Sequence, residues 1–308
     1  MTTKALTASK TVNAVRLSGA TAQTVGGSAF TTLTLTSGGL LATGAATHVL
    51  STPLVALVAV QGVFHADTGS TLSISSTITG TAGLVKEGAG IVVLAAPANK
   101  SGVAGLSANT LTGNLTVARG TLRLGSANAY APGQFLIMGG PASTLDLAGS
   151  NQQILALLTD GGSNPGTGGN ITSSSGTGQL VINQDNAARN WAGTTSGAVN
   201  LVRSGQNTLT IVSANAHTGT TLINGNTTVL QSEGAFTGTS ALDVNYATLN
   251  LDNDGGIGGS NNRIADAAAV TFRGAGMTFT GRRQSASTEA FGAVSIDQGY
   301  NALTATTG

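Results

Sequence analysis

Thr31-Thr32-Leu33-Thr34-Leu35-Thr36 alternates apolar and polar residues with period two. The same pattern returns at Thr71 to Ile74, Leu115 to Val117, Thr121 to Leu124, Thr144 to Leu147, Thr208 to Ile211 and Thr248 to Leu251. Successive side chains of a strand face opposite ways, so each segment predicts a short strand with one apolar face and one Thr/Ser face. Gly, Asn, Asp or Ser bound nearly every segment, which is turn chemistry. The 3.6-residue period is nearly absent. Its best run, Gln152 to Leu158, is too short for a helix to stand alone. The most apolar window, Val49 to Phe64, is interrupted by Ser51, Thr52, Pro53, Gln61 and Gly62 and predicts two buried strands. No run of about 18 apolar residues predicts a membrane-spanning helix, and Met1 to Lys10 lacks the apolar segment of a signal peptide.

Short strands at regular spacing suit a sandwich, a barrel or a solenoid, and an internal repeat decides among them. Leu84-Val85-Lys86-Glu87-Gly88-Ala89-Gly90 returns as Leu201-Val202-Arg203-Ser204-Gly205-Gln206-Asn207, an offset of 117. Asn109 to Gly113 (NTLTG) returns as Asn215 to Gly219 (NAHTG), an offset of 106, which also carries Ala129-Tyr130 onto Ala235-Phe236. The copies cover about 83–124 and 200–230, and the 11-residue difference in offset predicts an inserted loop at about 97–107 in the first. A one-dimensional stack tolerates such a loop, which leaves the coil sideways without breaking the core. The expectation is an all-β fold, a right-handed parallel β-helix running through residues 1–308 as one continuous β-solenoid. At roughly 20–25 residues per coil it has about 12–15 coils, and it is on the order of 60–70 Å long.

Composition sharpens this picture. Charged residues make up 8% of the chain, aromatics 4%, and there are 45 glycines among 308 residues. An ordinary globular domain is about a quarter charged. Disorder is excluded by the 40% hydrophobic content and the net charge of +1. Scattered Lys and Arg, with Arg282-Arg283 as the densest pair, leave no basic stripe for nucleic acid. The absence of cysteine excludes disulfides and thiol chemistry.

The repeated block resembles the autotransporter-associated β-strand repeat, or passenger-associated transport repeat, of bacterial surface proteins. The likeness lies in Gly83 to Leu94, Asn109 to Gly113 and Gly120-Thr121-Leu122-Arg123-Leu124, and again in Leu201 to Ile211 and Asn215 to Thr221. The second copy departs at its last element, where Gly225 to Leu230 reads GNTTVL. The resemblance implies a parallel β-helix displayed outside the cell, and the repeat itself carries no catalytic residues. No signal peptide or outer-membrane barrel is evident, and Asn301 to Gly308 reads as a strand in mid-stack. The expectation is therefore an excerpt of a longer chain or a unit that stacks end to end.

The function expected is non-enzymatic: a structural or adhesive extracellular solenoid at the bacterial cell surface. It is a stalk or filament segment, self-associating through coil ends, with a host or matrix glycan or protein surface as partner. It needs no cofactor and inserts no helix into a membrane. The alternative is a carbohydrate-binding or carbohydrate-processing β-helix, which would need two carboxyl groups a few ångströms apart. Asp146 and Asp243 sit in similar strands and read as outward positions. Asp252-Asn253-Asp254-Gly255-Gly256 resembles the start of a calcium loop, but the twelfth position is Arg263 and not Glu. It reads as a polar turn, with a weak calcium turn at Asp252/Asp254 as the sharper alternative. His48, His65 and His217 lack partners at metal-ligand spacing, and His217 takes an aromatic's place in the repeat, which predicts packing. Trp191 in a polar stretch predicts partial burial beneath a loop, against exposure to a glycan. Thr34-Leu35-Thr36 and Thr208-Leu209-Thr210 do not recur in every coil, as an ice-binding array would require.

Overall fold

The computed structural model describes residues 2–95, 109–160, 162–256 and 262–308. Among them there is no helix, and every pairing between strands is parallel. The chain is a β-solenoid of about 12 turns, and its contacts divide it into two compact units, Met1–Asp146 and Leu147–Gly308.

In the first unit each turn carries up to three strands. One turn runs through Thr71–Ile74, Thr77–Gly80 and Leu84–Glu87 before Ile91–Ala95 begins the next. Register partners such as Thr47 and Thr71, Thr71 and Ile91, and Thr121 and Thr144 set a coil of about 20–25 residues. Backbone groups pair from coil to coil, and alternate side chains point inward. His48, Leu72, Val92, Leu122 and Leu145 follow one another in register as one column, and all are buried. Each fully buried aliphatic side chain contributes about 1.5–3 kcal/mol.

The second unit repeats the plan. Gly178–Gln184, Arg189–Trp191 and Thr194–Gly197 make one turn, and Val199–Gly205, Leu209–Ile211 and Ala214–His217 make the next. The strands Thr221–Leu230 and Ala241–Asp252 bend around a corner and serve two faces each. The inward column here is Leu180, Leu201, Thr221, Leu242 and Val270.

Every alternating segment named from the sequence forms a strand, with only Thr31, Leu147 and Thr208 falling just outside one. Two expectations change. Gln152 to Leu158 forms the strands Asn151–Ile154 and Ala156–Thr159, because its apolar residues enter inward columns that a helix could not reach. The window Val49 to Phe64 meets three strands, Thr47–Ser51, Leu54–Ala56 and Gly62–Ala66, since Pro53 has no N–H for a continuous ladder. The inserted loop at 97–107 lies outside the described residues, but the register locates its length. Leu84 pairs with Leu115, whereas its counterpart Leu201 pairs with Thr221, so the first copy's coil is longer by the 11 residues between the two offsets.

Candidate functional surface

The repeated block builds a corner closed from inside by a buried cation. Lys86 follows Leu84 on the inward side of its strand, in an apolar column with Phe64 and Val117. Its Nζ donates to the carbonyls of Glu87 (2.8 Å), Gly88 (2.6 Å) and Arg119 (2.7 Å). Three ammonium hydrogens meet three turn carbonyls, so the buried charge is fully satisfied. Burial still draws the Lys86 pKa down to about 8, with Glu87 opposing. Arg203 occupies the equivalent place between Ile182 and Ile223. Its guanidinium donates to the carbonyls of Asn207 and Gly225, and burial lowers its pKa to about 10. The following glycines, Gly88 and Gly205, have φ of 75° and 87°. A Cβ would stand 2.2 Å from the Ala66 carbonyl oxygen in one case and 2.4 Å from that of Gln184 in the other, so only glycine fits.

The second motif element is also buried. Asn109 Oδ1 accepts from the Ile78 amide at 2.8 Å, and its Nδ2 donates to the Ala129 carbonyl at 2.7 Å. Tyr130 then donates its hydroxyl to the carbonyls of Gly113 (3.0 Å) and Asn114 (3.2 Å). Burial raises the Tyr130 pKa, which keeps the phenol neutral. In the second copy Phe236 replaces Tyr130, and its ring meets His217 edge-on at 5.7 Å. His217 is fully buried, as packing required. Its Nε2 lies 2.8 Å from Thr221 Oγ1, which lies 2.9 Å from Thr239 Oγ1, and Thr239 donates to the Ala241 carbonyl at 3.0 Å. The network assigns Nε2–H as the donor and the neutral imidazole. Desolvation lowers the His217 pKa to about 4.

Six aspartates face arginines or amide donors. Asp146 lies against Arg123 at 2.7 Å and is buried, which corrects its reading as an outward position: it lies on the outward side of its strand, but its carboxylate is covered. Asp243 and Asp297 flank Arg273 as a ladder across three coils. Asp185 is held by Arg189, which depresses the carboxyl pKa. In the Asp252/Asp254 turn, Asp252 Oδ1 accepts from the amides of Asp254 (3.1 Å) and Gly255 (2.8 Å), and its Oδ2 accepts from Gln231. Asp254 meets Arg283 at 3.0 Å. These carboxylates are engaged as a polar turn engages them. Among the described residues no three His, Asp or Glu side chains are grouped so as to hold a metal ion. His48 is buried, accepting the Gln23 amide at Nδ1 and facing the Thr43 carbonyl through Nε2, and His65 meets Asp67 at the surface. Trp191 is an inward core residue, 2% exposed, and not a surface aromatic. No helix among the described residues is long and apolar enough to cross a membrane.

Sequence reasoning passed over two features. The first is the buried cation: the coincidence of Lys86 and Arg203 in the repeat was its signal. The second is a pair of exposed tyrosines, Tyr246 and Tyr300, at corners two coils apart in the second unit. Tyrosine is a strong strand former, and the sequence gives no sign that Tyr246 stands at a corner.

No family model matches the chain, and no solved structure matches it. Over 189 residues the chain is 29% identical to the protein described as Adhesin BmaC autotransporter from Brucella suis biovar 1 (strain 1330). The match covers 61% of this chain and about 5% of the length of that adhesin.

Proposed function

We propose that this chain is a non-enzymatic segment of an extracellular adhesive or structural protein at a bacterial surface. The observation that carries the reading is the parallel β-solenoid, supported by likeness to an autotransporter adhesin over 189 residues. A stack of this kind supplies length and lateral surface with few charges, which suits a stalk or an adhesive face. The buried polar groups serve turns and columns: Lys86, Arg203 and His217 all point inward. The paired carboxylates described above are neutralised by arginines, which suits a scaffold better than acid–base chemistry.

Beads coated with the purified chain test the reading on cultured epithelial cells and on matrix-coated glass. Retention several-fold above albumin-coated beads is the expected result. Retention equal to albumin on every surface would remove the adhesive role. Self-association through coil ends belongs to the same proposal, because an unpaired coil presents a row of N–H and C=O groups. Electron microscopy over a concentration series should then show filaments, and discrete particles at all concentrations would refute end-to-end stacking.

A further inference from the structure

We propose that the corner around Tyr246 and Tyr300 is a binding site for a neutral glycan. The corner column in the second unit contains Gly225, Tyr246 and Gly274. The pairs Asn224–Asn245 and Asn226–Ala247 set Gly225 opposite Tyr246, and Asn245–Arg273 and Thr248–Gly276 set Tyr246 opposite Gly274. Gly225 and Gly274 have φ of 78° and 58°, the left-handed region that favours glycine. Tyr246 holds φ of 46° at the same corner. An aromatic residue in this conformation is strained, and its side chain is nonetheless 61% exposed.

The ring's surroundings suit a ligand. A Cβ on Gly274 would come within 2.7 Å of Tyr246 Cε1, so the ring lies directly on bare backbone. One corner farther on stands Tyr300, 86% exposed. Between the rings runs a groove of about 410 Å³ flanked by Asn226, Thr227 and Thr248. Asn226 uses its Oδ1 on the Thr227 amide at 2.8 Å, which leaves its Nδ2 for a ligand. None of the lining residues carries a charge. Two aromatic faces, short hydroxyl and amide side chains and no ions match the alternating apolar faces and hydroxyls of an uncharged pyranose chain. An anionic polymer would find no counter-charge here.

The inference rests on the adhesive reading and gives it a partner class. Titration calorimetry of the whole chain with cellohexaose, mannohexaose and N-acetylchitohexaose, beside a heparin hexasaccharide, tests it. At least one neutral oligosaccharide should bind saturably. Tyr246→Gly should weaken that binding about tenfold. This variant keeps its fold, because glycine already occupies the adjoining corners, and its thermal unfolding should match or exceed the parent's. Tyr246→Phe should keep most of the affinity. No binding to any neutral oligosaccharide, binding that Tyr246→Gly leaves intact, or binding only to the heparin fragment would overturn the proposal. The bead assay separates the two ideas. Parent beads that adhere without oligosaccharide binding leave the adhesive role standing and remove the glycan site. Parent beads that do not adhere remove the role itself.

Discussion

At residues 86 and 203 the same corner is closed by different cations. In the first copy an ammonium gives one hydrogen to each of three carbonyls. In the second a guanidinium reaches two carbonyls, and its Nε finds no partner among the described residues. The second motif differs in the same spirit. Leu111 and Leu115 fill the first copy with aliphatic groups, and Tyr130 supplies the hydroxyl that holds the turn. His217 and Thr221 replace the two leucines, and Phe236 replaces the tyrosine. The position of the polar group moves, but each core keeps an internal donor for its turn. The lesson is that the stack fixes where a buried donor must point and leaves open which side chain supplies it.

The largest effect should come where the copies agree. Gly88→Ala and Gly205→Ala each drive a Cβ into a carbonyl of the neighbouring coil and demand a left-handed alanine. Each should cost about 3 kcal/mol or more in urea unfolding. A cost below about 1 kcal/mol at either site would break the claim of a common corner. Next comes Lys86→Met, which leaves three buried carbonyls without a donor and should cost about 2–3 kcal/mol. Lys86→Arg should recover part of that loss, since arginine serves the second copy's corner. If methionine were as stable as lysine, the cation would have no structural role.

Acid should separate the two copies. The folded His217 pKa of about 4 lies below the ordinary 6.5, so the unfolded chain takes up the proton more readily. Stability from this group is complete above pH 6.5 and is lost as the pH falls from 6.5 to 4, by about 2–3 kcal/mol. The double variant His217→Leu with Thr221→Leu installs the first copy's pair and should flatten that part of the stability profile. An unchanged acid limb would contradict the buried neutral imidazole. The smallest effect is expected from Tyr130→Phe, which gives the first copy the second's aromatic. Losing the bonds to Gly113 and Asn114 should cost about 1 kcal/mol, and no loss would mean that the hydroxyl does not hold the turn.

Much of this was legible in the residues. Thr-Leu alternation marked the strands. His217 was readable as core because it sat in an aromatic's place. Other features were hidden by competition between rules. The inward register of Lys86 and Arg203 does not show in the residue type, and Gln152 to Leu158 fits helix and strand patterns over so short a span. Trp191 lay in polar surroundings that concealed an inward position. The strain at Tyr246 was invisible because the residue type favours the extended backbone that the corner denies it.

The central claim is that both copies occupy the same place in a parallel stack with a defined register. The chain has no cysteine, so introduced pairs can be read without background. Val85→Cys with Thr116→Cys and Val202→Cys with Leu222→Cys join outward-facing register partners. Strand neighbours about 4.8 Å apart fall within disulfide range. Mild oxidation should close both pairs rapidly, and the shifted pair Val85→Cys with Val117→Cys should stay open, because Val117 faces inward. Equal closure of the shifted pair, or failure of either register pair, would contradict the account.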